Sequence, residues 1–162
     1  MRIKLFTKVL AVSLAAVGVV GLASGCQVPA TVAKKAGVVA LAKSEIGKPY
    51  APLGPYERNG PDRFDCQGLV WYVFSRYGVN LPHGATAQYN AVQHISAAQA
   101  GPGDLVFFHL NNDPTGWYYH HVGIVTGPNL YVSALGTKYG VVQTTISGSK
   151  DRNGWVAYGR VF

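Results

Sequence analysis

Charge is scarce in this chain: Asp, Glu, Lys and Arg make up 13% of its 162 residues. No basic tract of the kind that grips nucleic acid is present, which excludes that class of partner. Cysteine is scarcer still, limited to Cys26 and Cys66. An oxidising compartment pairs cysteines or removes them, so each survivor in an exported chain needs an account. The one long apolar run, VLAVSLAAVGVVGLA, is too short and too rich in Ala and Gly for a membrane span. There is no internal repeat and no low-complexity block. None of the five histidines stands at metal spacing beside a cysteine or carboxylate cluster, so no zinc site and no cofactor is implied.

What is present begins with an export pattern. Residues 1–25 open with MRIKLFTK, carrying Arg2, Lys4 and Lys8, continue through the apolar run and end in small residues, which is the design of a secretory signal. The junction LASGC resembles a lipobox, with Ala23 where that pattern prefers Leu and Leu22 one place too early. Cys26 is then a lipidated N-terminus that anchors the chain to a membrane, and the protein faces the cell wall, in a periplasm or at a cell surface. The competing reading is an ordinary cleaved signal followed by an incidental cysteine. Lipidated Cys26 cannot form a disulfide, which leaves Cys66 as the sole thiol; a Cys26–Cys66 disulfide is the other possibility. Residues 26–36 read as a tether, and residues 37–162 as one domain with enough chain for a real core. Removing the three signal cations takes the net charge from +7 to 7 − 3 = +4. That mild balance suits an anionic polymer such as a cell wall, or a lipid surface.

Within the domain, VVALAKSEIGKPY has helical spacing, with Val38, Val39, Leu41, Ala42 and Ile46 on one face, and Gly47-Lys48-Pro49 stops it. A loop rich in Gly and Pro leads to Cys66. From there Leu69, Val70, Val73, Phe74 and Tyr77 mark a second amphipathic helix, ended by Gly78. ATAQYNAVQHI reads as a third, short helix. After GPGD the pattern turns to strands: LVFFHL, HHVGIVTG, NLYVSAL, GVVQTTI and WVAYGRVF. Helices first and strands later predict an α+β domain with an antiparallel sheet.

Asp65 stands where an N-cap belongs, which puts Cys66 in the first turn of its helix. The helix dipole favours thiolate there and predicts a thiol pKa below the free value of about 8.5. A small buried hydrophobe at the start of an apolar helix is the equally good alternative. A base decides between them. In HHVGIVTG, His121, Gly123 and Val125 share one face, and His120, Val122, Ile124 and Thr126 share the other. Gly123 leaves room on the His121 face for an imidazole that must meet a sulfur. His120 reads as solvent-facing or capping, and His83, His94 and His109 as ordinary polar residues.

DCQGLVWYVFSRYGVNLP, GDLVFF and HHVGIVTG, in that order, resemble the NlpC-type peptidoglycan endopeptidases, papain-like cysteine peptidases of bacterial cell walls. GKPYAPLG is similar to the family's Gly-Lys-Pro-Tyr segment. The resemblance covers residues 36–162 and implies a papain-like fold with N-terminal helices packed on a central antiparallel sheet. It makes Cys66 the nucleophile and His121 the base. Tyr50 becomes a hydroxyl near the sulfur, and the Cys66 N–H an oxyanion donor. The reaction implied is acyl transfer on the peptide stem of peptidoglycan, commonly between γ-D-glutamate and a diamino acid. An amidase that frees the stem from the glycan, and a catalytically weakened wall-binding module of the same fold, are the alternatives.

Two positions depart from the family pattern. Gln67 follows the nucleophile where Ser is usual, and with Asp65 it belongs to the surface expected to line the substrate or oxyanion site. Ser133 falls where a His or another polar residue orients the base. A hydroxyl can accept from imidazole but stabilises imidazolium less than a carboxylate does. Strand parity puts Tyr131, Ser133 and Leu135 on one face. Gln143 on the following strand, or a backbone carbonyl, is the other candidate orienter. The sequence leaves oligomeric state open.

Overall fold

The computed structural model describes residues 28–51, 59–109, 118–153 and 155–162. The expected signal segment and Cys26 lie outside them. Three helices come first: α1 (Ala30–Ser44), α2 (Cys66–Ser75) and α3 (Ala85–Asn90). Strands β1 (Gln93–Ile95), β2 (Leu105–His109), β3 (Tyr119–Gly127), β4 (Leu130–Ala134) and β5 (Val141–Thr145) follow, then helix α4 (Ile146–Asn153) and strand β6 (Val156–Arg160). The six strands form one antiparallel sheet in the order β1-β6-β2-β3-β4-β5. The α+β architecture read from the sequence is therefore the architecture of the domain.

The two faces of the sheet bury different sets of side chains. Val122 and Ile124 of β3, Leu105 and Phe107 of β2 and Val132 and Ala134 of β4 pack against Val38 and Ala42 of α1 and Leu69, Val70, Val73 and Phe74 of α2. The alternate residues Val106, Phe108, Val125 and Tyr131 form a smaller cluster with Ile146 of α4 on the other face. Period-two burial on strands and a 3.6-residue stripe on α2 produce this division.

Three elements differ from expectation. Helix α1 begins at Ala30, inside the stretch read as tether. ATVAKKA is made largely of strong helix formers, and Pro29 at the N-cap has no N–H that the helix needs. Lys35 then docks this first half by binding Asp104. The third helix stops at Asn90, because Gln93–Ile95 pairs with β6 as strand β1. Helix α4 has no apolar periodicity in ISGSKDRN and leaves no helical signature to read.

Asp104, at the start of β2, is fully buried and holds three parts of the fold together. Its carboxylate accepts from Arg160 Nε at 3.1 Å and Nη2 at 2.9 Å, from Lys35 Nζ at 2.5 Å and from the Gly101 N–H at 3.0 Å. Burial alone pushes its pKa up, but the hydrogen bonds from Arg160 and Lys35 outweigh it and hold the carboxyl below its usual value of 3.8. Strand β2, strand β6 and helix α1 are joined at this one group.

Candidate active site

Cys66 is the first residue of α2 and a free, half-buried thiol. Asp65 caps the helix as expected: its side chain accepts the Gly68 N–H at 2.7 Å. The approach to the helix is fixed by Pro49-Tyr50-Ala51, which pairs with Phe64 through Phe64 N–H to Pro49 O at 3.1 Å and Ala51 N–H to Phe64 O at 2.9 Å. Tyr50 is thus aligned with Phe64, two residues before Cys66, and half-buried against the helix-side core.

Strand β3 carries the imidazole. Its register places His121 opposite Phe108, on the sheet face away from α2. Gly123 leaves room on that face, and the Tyr131 ring fills it: a Cβ at Gly123 would lie 2.2 Å from that ring. The His121 ring sits edge-on to Tyr131, with centroids 6.2 Å apart, and is tilted against Phe108 at 5.6 Å.

Cys66 packs with the α2-side cluster and His121 lies on the opposite face of the sheet. The β3–β4 ladder runs from Gly127–Leu130 to Ile124–Val132. Past it, β3 pairs with β2, and Ser133 and Ala134 pair with β5. Helix α2 packs on β3 and β4, and the Val122 N–H lies close enough to the Cys66 sulfur to favour its thiolate. That amide is the peptide bond joining His121 to Val122. Cys66 and His121 therefore converge on one peptide unit. The two side chains share no hydrogen bond, and His121 Nε2 is buried without a partner among the described residues.

The electrostatics of Cys66 differ from expectation. Burial, and next the charge of Asp65, push its thiol up to about 11, against hydrogen bonds from the N–H groups of Val122, Gln67 and Cys66 that favour thiolate. The helix N-terminus acts in the expected direction, but its donors are outweighed by loss of water and by the cap's own carboxylate. Burial pushes His121 down to about 4. At neutral pH each group taken alone is neutral. The pH midpoint of iodoacetamide labelling is accordingly expected above the free-cysteine value of about 8.5; a midpoint at or below that value would contradict this balance.

Ser133 is buried on the His121 face, as parity predicts, but its hydroxyl donates to the Val122 carbonyl at 2.6 Å. Its hydrogen bond goes to the backbone beside the imidazole and not to the ring. Ser133→Ala is expected to cost about 1 kcal/mol of stability and no more than about tenfold in rate. Denaturant unfolding and steady-state kinetics check both; a loss equal to that of His121→Ala would mean that the hydroxyl acts on the ring. Gln143, the alternative orienter, accepts from Thr126 Oγ1 at 3.2 Å on the other face of the sheet.

The two remaining site residues point inward. Gln67 Oε1 accepts the Gly84 N–H, and its Nε2 donates to Asp65 Oδ2 at 3.3 Å. Asp65 is 6% exposed. Both side chains brace the start of α2, where the sequence suggested a lining for substrate. The other histidines are aromatic packing partners: His94 stacks on Tyr89, His109 on Trp155 and His83 on Trp71, while His120 is exposed.

The sequence model of the NlpC/P60 family matches residues 47–160. A probable endopeptidase p60 of Listeria monocytogenes is 39% identical over 128 residues, covering 76% of this chain and 23% of that protein. The bifunctional muramidase/DL-endopeptidase CwlT of Bacillus subtilis is 34% identical over 115 residues, covering 71% of this chain and 33% of that one. Among solved structures, the peptidoglycan hydrolase RipB of Mycobacterium tuberculosis superposes with a TM-score of 0.64 at 29% identity, over 82% of this chain and 66% of that chain. The chain spans about a quarter to a third of the length of these curated relatives.

Proposed function

Because the chain belongs to the NlpC/P60 family, we propose that it is a cell-wall cysteine endopeptidase that hydrolyses amide bonds in the peptide stems of peptidoglycan. The observation that carries this reading is the convergence of a free thiol and an imidazole-bearing strand on the Val122 amide. Similar proteins are a peptidoglycan hydrolase and endopeptidases. The γ-D-glutamyl–diamino acid bond is the proposed target, in keeping with the DL-endopeptidase named among them.

Cys66 is the nucleophile and His121 the base. Burial penalises a lone thiolate and a lone imidazolium, but a proton passed from Cys66 to His121 creates both charges together, and their attraction offsets part of that penalty. The thiolate attacks the amide carbonyl, and His121 protonates the departing amine. Water, deprotonated by His121, then releases the acyl group and restores the thiol. In the resting site the N–H groups of Cys66 and Gln67 favour the thiolate; once the sulfur has bonded to the carbonyl carbon, these helix-end donors become available to the oxygen that gains charge. Tyr50, aligned with Phe64 two residues before Cys66, orients the substrate. Asp65 and Gln67 act on the site by positioning the helix.

The reading is tested by incubating the full chain with purified stem-bearing disaccharides and analysing the products by mass. Fragments ending in a free γ-D-glutamyl carboxylate are expected. An intact stem released from the sugar would instead identify an amidase, and the absence of any product a binding module. The same proposal holds that the chain is exported and anchored through lipid on Cys26. Membrane-extracted protein should then carry a diacyl or triacyl mass at that residue, and an unmodified N-terminus would refute the anchor.

A further inference from the structure

Helix α3 is six residues long, too short to stand by itself in water, and it lies between the element bearing Cys66 and the element bearing His121. Three hydrogen bonds close a ring at its α2 side. The Gly84 N–H donates to Gln67 Oε1, the Gln88 N–H donates to Gly84 O at 2.8 Å, and Gln88 Nε2 donates to Gln67 O at 3.0 Å. Gln67 is the residue directly after Cys66. Gln88 is entirely buried; its Nε2 donates to the backbone of the nucleophile's own turn, while its Oε1 has no hydrogen-bond partner among the described residues. On the β3 side, Thr86 Oγ1 accepts the Tyr119 N–H at 2.8 Å and donates to Tyr119 O at 3.3 Å. Tyr119 opens β3, two residues before His121. One short helix thus grips the turn that carries the sulfur with one set of bonds and the strand that carries the imidazole with another.

We propose that α3 sets the separation of the catalytic pair, with Gln67, Gln88 and Thr86 as positioning residues. The inference rests on the Cys66–His121 reading given above. It also accounts for Gln67 at a position where Ser is usual: the longer side chain spans to Gly84 and closes the ring. A misplacement of about 1 Å between reacting groups costs on the order of a hundredfold in rate, so slackening either grip should appear in turnover before it appears in substrate binding.

The test compares Thr86→Val, Thr86→Ser and Gln88→Met in the full chain, each shown to be folded by its thermal melt. Thr86→Val and Gln88→Met should lose about 10- to 100-fold in kcat with KM changed by less than about threefold. Thr86→Ser, which keeps the hydroxyl, should recover most of the loss. In the two damaged variants the iodoacetamide labelling midpoint of Cys66 should rise, because the sulfur loses the Val122 N–H. Unchanged kcat in the folded variants, a loss confined to KM, or a serine variant as poor as valine would overturn the inference. Should Thr86→Val fail to fold, Gln88→Met and the labelling midpoint decide. If Cys66→Ala or His121→Ala is itself active, it is the reading of the catalytic pair that has failed. If both are inactive while Thr86→Val and Gln88→Met turn over normally, only the positioning role has failed.

Discussion

Cys66→Ala is expected to abolish stem-peptide hydrolysis, by on the order of 10⁴-fold or more, and to leave the fold in place. The loss is large because no other thiol lies among the described residues and no neighbouring group supplies an equivalent nucleophile. The fold survives because the determinants of the α2 start lie elsewhere. Asp65 still caps the Gly68 N–H, and Leu69, Val70, Val73 and Phe74 still fill the core. His121→Ala should come close to the same loss, since groups that act as a unit fail together. Near-UV circular dichroism and product analysis on the same preparation check the claim; hydrolysis by the alanine variant at a tenth of the wild-type rate would end it.

Asp104→Ala is expected to be the most destabilising single change, at about 3 kcal/mol. Breaking a buried ion pair costs about 3–5 kcal/mol, because the partners keep their charge and lose its match. The lower end applies because Arg160 and Lys35 retain 30% and 17% side-chain exposure and recover some hydration. A loss of that size amounts to a fall of roughly 10 °C in melting temperature. The sign of the pH effect follows from the lowered carboxyl pKa. The stabilisation is complete above the unfolded value of 3.8 and disappears as pH falls through the lower folded value. Melting wild type and variant from pH 7 down to pH 2 should show their curves converging in acid. A difference below 0.5 kcal/mol at neutral pH would show that the three elements do not depend on this group.

Much of this was legible in the sequence, and the reasons are local. Asp65 before an apolar 3.6-residue stripe defined the start of α2, and alternation in HHVGIVTG assigned Val122 and Ile124 to one face and His121 to the other. What was not legible depends on partners distant in the chain. Gln93–Ile95 is a strand because β6 lies alongside it, 160 − 93 = 67 residues later at the Gln93–Arg160 pair. The dipole argument for a lowered Cys66 pKa used the helix alone; the desolvation that reverses it arises only once the helix is packed into the domain. Parity put Ser133 on the correct face but not onto the imidazole, because its short side chain finds the Val122 carbonyl first. Gln88 and Thr86 carried no signal, since ATAQYN offers no apolar pattern and their roles exist only once α2, α3 and β3 are together.

The pairing of Cys66 with His121 is tested most directly by trapping the acyl-transfer step. A stem peptide bearing an aldehyde or chloromethyl ketone in place of the scissile amide is incubated with the full chain, and intact-protein and peptide-map mass spectra are recorded. A single substrate-derived adduct on the peptide containing Cys66 is predicted, formed rapidly by wild type and at least about a hundredfold more slowly by His121→Ala. Continued hydrolysis of natural stem peptide by a chain whose Cys66 is fully modified, or an adduct rate indifferent to His121, would contradict the account.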